Sequence, residues 1–229
     1  MATVILLRHA QSTANGSGVL AGQRPGVELS ESGRGQASEL VRRLGGIELA
    51  SVVASPLLRC QQTVAPLAQA RALGVVEEPA LSEVDYGEWT GRALKDLLEE
   101  PLWRVVQQHP SGAVFPGGEG LAAVQCRAVA AVRAHDARVA GEYGERAVWL
   151  ACTHGDVIKS VLADALGVHL DGFQRIVVDP CSVSVVRYTQ TRPFVLRVND
   201  VGGELAGIVP PEPASDESSD AVVGGSTGA

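Results

Sequence analysis

Short β-branched runs alternate along this chain with longer stripes of helical period, and that alternation limits the fold more than any other feature. Residues 3–7 read as a strand, 31–44 as an amphipathic helix, 51–54 as a second strand and 57–73 as a second helix. Such a βαβα order is the signature of a mainly parallel sheet. The pattern returns later in the chain. Val124, Ala128, Ala131, Val132, His135 and Val139 share one helical face, 147–152 reads as a strand, and Val157, Ile158, Val161, Leu162, Ala165 and Leu166 stripe the next helix. Residues 183–188 and 194–198 read as closing strands. The expected class is α/β, with one domain over residues 1–209. Residues 210–229 are rich in Pro, Ser, Gly and acids, and read as a disordered acidic tail.

Charge narrows the partners. The chain has 229 residues, 19 Lys plus Arg against 26 Asp plus Glu, and a net charge of −7. There is no broad basic field to hold a nucleic-acid backbone or an anionic membrane. Four of the acids, Glu212, Asp216, Glu217 and Asp220, lie in the tail, so an anionic ligand would need only a few local cations in the folded part. Cys60, Cys126, Cys152 and Cys181 are scattered without a Cys-x-x-Cys pair, which suggests neither a zinc site nor a disulfide framework. The first apolar run ends at Arg8 and His9, too short for a signal peptide, and no run approaches the ~18 residues of a membrane span. A reducing cytoplasm is the expected location.

In open α/β sheets ligands bind beyond the carboxyl ends of the strands. The first strand runs into Arg8-His9-Ala10-Gln11-Ser12. The second runs into Ser55-Pro56-Leu57-Leu58-Arg59, where Ser55 is expected as N-cap and Pro56 as first helical residue, fixing Arg59 in the first turn. The strand at 147–152 runs into Thr153-His154-Gly155. A loop at 81–89 adds Glu83, Asp85 and Glu88. Two guanidiniums can grip phosphoryl oxygens bidentately. A neutral imidazole can attack phosphorus and carry it covalently. A carboxylic acid can protonate the departing alkoxide and then activate water. Such a set works without a metal if arginines and a second histidine hold the charge.

These residues resemble the histidine phosphatase superfamily, in its phosphoglycerate-mutase-like branch, over roughly residues 3–190. The signature Arg-His-Gly stands here as Arg8-His9-Ala10, followed by Ser12 and Asn15. The Ser-x-x-x-Arg-x-x-x-Thr element stands as Ser55, Arg59 and Thr63. The acid loop matches as Glu83 with Tyr86-Gly87-Glu88-Trp89-Thr90-Gly91, the Pro-Gly-Gly-Glu element as 116–119, and the second histidine as His154-Gly155. The resemblance implies a three-layer α/β/α sandwich around a mainly parallel sheet. It also implies His9 as nucleophile, Glu83 as general acid and base, and Arg8, Arg59 and His154 as phosphate pocket, with Ser12 and Asn15 touching the phosphate. No cofactor and no metal are implied, and the partner is a small phosphorylated substrate rather than a nucleic acid or a membrane. Ala10 replaces the usual glycine, so ordinary dihedrals or a slightly shifted backbone are expected there. Gly120 stands where serine commonly follows Glu119.

Within the branch, mutases typically carry arginine after the acid and Asn-Lys after the Gly-x-x-x-Gly stretch. Val84 and Arg92-Ala93 occupy those places, which favours hydrolysis over a phosphoglycerate mutase reaction, although Arg92 could read an anionic group. Residues 99–120 are the expected specificity cap. A non-catalytic phosphate binder is the reading of another class, and the presence of Glu83 argues against it, because binding alone needs no acid. Glu119 reads as a helix-dipole partner rather than a site residue, His135 as a core or boundary histidine, His109 and His169 as loop residues, and Arg92 and Arg104 as surface charges. Cys181 and Arg187 have the spacing of cysteine-dependent phosphatases, yet Ser and Val alternate between them as in a strand, not an anion-cradling loop. Residues 224–228 match a serine-hydrolase elbow but leave no room for the helix that must follow.

Overall fold

The computed structural model describes residues 1–203; the acidic tail and the 224–228 motif lie outside the described residues. β1 (Thr3–Arg8) sends Val4 and Leu6 to one side and Ile5 and Leu7 to the other, all buried. After it comes a short helix, α1 (Thr13–Ser17), then α2 (Glu31–Arg43). Ser30 caps α2 by accepting from the Gly33 amide, and Glu31 in the first turn with Arg42 and Arg43 in the last complement the helix dipole. β2 (Leu49–Ala54) leads into α3 (Leu58–Ala70) and β3 (Val75–Glu77). The middle of the chain holds the short helices α4 (Leu94–Leu97) and α5 (Pro101–Gln108), then the long α6 (Leu121–Tyr143). β4 (Val148–Thr153) and α7 (Gly155–Leu166) follow, and Gly167 ends α7 in the left-handed region that favours glycine. β5 (Val183–Arg187) and β6 (Phe194–Asp200) close the sheet.

The strands form one six-stranded sheet in the order β3-β2-β4-β1-β5-β6. The pairs β2–β3, β2–β4 and β1–β4 are parallel, whereas β1–β5 and β5–β6 are antiparallel. One face is covered by α6 and α7, whose Val124, Val132, Val157 and Val161 pack on Val4, Leu6, Trp149 and Ala151. The other is covered by α2 and α3 through Leu40, Val64 and Leu67, against Ile5, Leu7, Val52 and Leu150. This is the three-layer α/β/α sandwich. Continuous apolar runs in β1, β2 and β4 follow from burial on both faces.

The elements match the periodicity with small shifts at their ends. β3 was not expected: it is three residues at the sheet edge, too short to show an alternation. The stretch from Val183 to Arg187 is strand β5, so the Cys181–Arg187 spacing belongs to no phosphate loop. Among the described residues, no helix is long and apolar enough to cross a membrane.

Candidate active site

Register explains how distant residues meet. β1 and β4 are parallel neighbours with Arg8 opposite Thr153, so the next residues of each strand, His9 and His154, emerge side by side. Their ring centroids are 5.2 Å apart. Ala54 of β2 pairs with Cys152, which brings Ser55 beside Thr153 and Arg59 one turn further into the same space. The structure therefore places Arg8, His9, Arg59 and His154 together, all buried, and the buried acid loop delivers Glu83 to within 3.9 Å of His154 Nδ1.

His9 is oriented by its own loop. Nδ1 lies 2.8 Å from the Ala10 carbonyl oxygen, which can only accept, so Nδ1 carries the proton and the lone pair sits on Nε2. Burial and the charges of Arg59 and Arg8 hold its pKa well below the usual histidine value, so the ring is neutral near pH 7. The Ala10 amide donates to Thr63 Oγ1 at 2.9 Å, and that hydroxyl donates to the Arg59 carbonyl at 2.6 Å. The His9 loop is thereby tied to α3. Ala10 is absent from the left-handed region, in keeping with ordinary dihedrals there.

Arg59 Nη2 donates to the Gly22 carbonyl at 2.8 Å and to His154 Nδ1 at 3.1 Å. An acceptor at Nδ1 puts the His154 proton on Nε2, which faces Ser55 Oγ at 2.9 Å. This overturns the expected helix start. The Ser55 hydroxyl is engaged by His154, Leu57 is the N-cap, and Pro56 lies outside the helix. Arg59 nevertheless falls in the first turn. Arg8 Nη1 donates to the Val178 carbonyl at 2.7 Å; burial pulls its pKa down, and Glu83, Asp156 and Asp179 push it back up.

Ser12 and Asn15 close the start of α1 on each other. The Ser12 hydroxyl donates to Asn15 Oδ1 at 2.7 Å and accepts from the Asn15 amide at 3.2 Å, while the Ser12 amide donates to Oδ1 at 2.9 Å. This capping box commits the Ser12 proton to Asn15. With Oδ1 so occupied, Asn15 has only N–H donors to offer.

Glu83 is 4% exposed. Burial first, then the charge of Asp156, raise its carboxyl to about 7, against the opposing pull of Arg59 and Arg8. At neutral pH it is thus poised between the acid and the base that phosphoryl transfer with a poor leaving group requires.

The residues that decide the family are now together in one buried cluster, and a family model for the histidine phosphatase superfamily (branch 1) matches residues 4–201. The chain belongs to that superfamily. "Phosphoserine phosphatase 1" of Hydrogenobacter thermophilus is 31% identical over 202 residues, covering 87% of this chain and 92% of the relative. "Probable phosphoglycerate mutase GpmB" of Cronobacter sakazakii is 30% identical over 194 residues, covering 83% and 87%. Among solved structures, Bacillus stearothermophilus YhfR superposes with a TM-score of 0.81 at 26% identity, covering 88% of this chain and 98% of that one.

Several residues that surround this buried cluster escaped the sequence. Arg127 on α6 forks onto Glu119 with two contacts of 2.8 Å and also donates to the carbonyls of Ala80, Ser82 and Glu83. Glu119 Oε2 accepts from the Asp85 amide at 2.9 Å. The dipole reading of Glu119 gives way to this one: Glu119 and Arg127 clamp the backbone of the acid loop. An isolated Arg on a long helix carries no signal of such a role. The Pro-Gly-Gly-Glu element packs against the same loop, where a Cβ on Gly87 would stand 2.1 Å from the Pro116 carbonyl. Trp89 packs on Trp103 and Phe115, joining the acid loop to residues 99–120. Arg92, considered for reading an anion, pairs with Glu100 at 2.6 Å. His135 is half-buried on Glu78, and His109 and His169 both meet Asp171 at the surface.

Proposed function

We propose that this histidine phosphatase hydrolyses a small phosphate monoester without a metal ion, through a phosphohistidine on His9. The observation that carries the reading is the Nδ1 hydrogen bond of His9, which leaves Nε2 as a neutral nucleophile beside two buried arginines. In the first step the Nε2 lone pair attacks phosphorus, the bond from phosphorus to the ester oxygen breaks, and the Glu83 proton passes to the leaving oxygen. In the second step ionised Glu83 takes a proton from water, the water oxygen attacks phosphorus, and the phosphorus–nitrogen bond breaks to return neutral His9. Arg8 and Arg59 neutralise the equatorial oxygens, with His154 holding Arg59 in place. Asn15 donates from its amide nitrogen, and Ser12 keeps Asn15 in position.

Phosphoserine is the first substrate to test, since a relative covering most of this chain is named for its hydrolysis. Residues 99–120, packed on the acid loop, form the cap that sets specificity. A reducing cytoplasm suits the four free cysteines. A mutase reading follows from the second relative; Val84 after the acid and the engaged Arg92 weigh against it. Incubation with phosphoserine, 4-nitrophenyl phosphate, sugar phosphates and both phosphoglycerates distinguishes these readings: free phosphate from the parent and none from His9→Ala supports hydrolysis. Interconversion of the phosphoglycerates without release of phosphate establishes the mutase instead. Full turnover by His9→Ala would falsify the covalent route.

A further inference from the structure

The backbone of His9 is held on both sides. Its amide donates to the Thr153 carbonyl at 2.9 Å, and its carbonyl accepts from the Cys181 amide at 3.1 Å. Cys181 belongs to the turn Asp179-Pro180-Cys181-Ser182, which the Ser182 amide closes onto the Asp179 carbonyl at 3.0 Å. Proline second and a left-handed residue third are the marks of a type II turn, and the third place ordinarily takes glycine or asparagine. Here it is Cys181, 3% exposed, at φ +61. Few residues with a side chain adopt that φ, and such an outlier persists where its surroundings over-determine it.

Two contacts over-determine it. Arg43, in the last turn of α2, is forked: Nη1 donates to the Cys181 carbonyl at 2.8 Å, and Nη2 donates to the Asp200 carbonyl at the end of β6, also at 2.8 Å. The start of the turn is tied to β6 as well, because the Asp179 amide donates to Asn199 Oδ1 at 2.6 Å and Asn199 Nδ2 donates to Asp179 Oδ2 at 2.7 Å. With Asp179 fixed by Asn199 and the Cys181 carbonyl fixed by Arg43, the residue between them has no freedom to relax. A return of Cys181 to negative φ would rotate its amide off the His9 carbonyl. Resting on the phosphatase reading above, we propose that Arg43 is a positioning residue for His9: it keeps Cys181 in the left-handed region, and through the Cys181 amide it sets where Nε2 stands relative to phosphorus. Arg43 acts through the turn and not on the ester.

The test compares two inhibitors of the full chain, vanadate and inorganic phosphate, with 4-nitrophenyl phosphate as substrate. Vanadate can take Nε2 as a fifth ligand, so its inhibition constant reads the position of His9, whereas phosphate is held by the arginines without a bond to nitrogen. Arg43→Met should weaken vanadate about tenfold, part of the hundredfold that a 1 Å misplacement costs, and leave phosphate within twofold of the parent. Adding Cys181→Gly to Arg43→Met should restore most of the vanadate affinity, because glycine adopts positive φ freely. Adding Cys181→Ala removes the same sulfur without freeing the backbone and should restore none. A merely structural clamp would change the melting temperature or the yield of folded protein, neither of which moves an inhibition constant. Parent-like vanadate inhibition of Arg43→Met, equal weakening of both inhibitors, or a rescue that is absent with glycine or equal with alanine overturns the proposal. If Arg43→Met does not fold, Arg43→Lys, which cannot fork onto both carbonyls, decides by the same vanadate-to-phosphate comparison. Failure of the phosphatase reading shows separately, as a parent without turnover or an active His9→Ala.

Discussion

At His9 a single carbonyl fixes the lone pair on Nε2, and at Glu83 burial raises the carboxyl into the neutral range. These two side chains carry the predictions at the residue scale. Glu83→Gln should lose far more kcat with phosphoserine or phenyl phosphate than with 4-nitrophenyl phosphate, whose leaving group needs little protonation; steady-state rates on the series check this, and equal losses on all would move the acid elsewhere. The same carboxyl also bears on stability. Its pKa is raised to about 7 in the fold, against about 4.3 unfolded, so the native state holds the extra proton between those values and stability falls as pH rises through that window. Glu83→Gln should therefore be more stable than the parent at pH 8, by on the order of 3 kcal/mol, and nearly equal at pH 4. Urea denaturation at the two pH values measures it. A variant less stable than the parent at pH 8 would show that the site does not store this strain.

At the element scale, the strands place the histidines and arginines, while the acid loop depends on a clamp from another layer. Arg127 grips three loop carbonyls and Glu119, and Glu119 grips the Asp85 amide. Arg127→Met should leave the fold intact and lower kcat by about 100-fold, since a shift near 1 Å at the acid is enough for that; circular dichroism and kinetics on the same sample test both halves. Gly87→Ala should be worse for the loop. Gly87 has φ +51, and its added Cβ would meet the Pro116 carbonyl at 2.1 Å. A drop in melting temperature together with lost activity is expected, and parent-like behaviour would mean that the loop has slack. These differences mark what the sequence could express. Strand-end residues were legible because parallel register turns sequence position into spatial neighbourhood: Arg8 opposite Thr153 makes His9 and His154 adjacent. The start of α3 was misread because the Ser55 hydroxyl, while it still accepts from the Leu57 amide at 3.3 Å, also meets His154, 99 residues away, and the helix starts only at Leu58. The clamping roles of Arg127 and Glu119 were missed for a related reason: their contacts with the acid loop lie across the fold, and no local pattern announces them.

For the whole molecule, an acidic chain gathers two buried arginines around His9. A net charge of −7 argued against nucleic-acid polymers as partners, whereas Arg8 and Arg59 are buried in the same cluster as His9 and His154. A ligand that binds only the folded state stabilises it by mass action, by about 2.7 kcal/mol at a hundred times its Kd. Vanadate should therefore raise the melting temperature of the parent and leave that of Arg59→Ala unmoved, as read by thermal shift; an equal rise in both would place the anion elsewhere. The central claim remains chemical. Rapid acid-free quenching of the enzyme with a 32P-labelled ester during turnover tests it most directly. The mechanism predicts a labelled chain whose phosphate is lost in acid and kept in alkali, mapped to His9 and absent from His9→Ala. Label that survives acid, maps to another residue or persists in His9→Ala would contradict the mechanism.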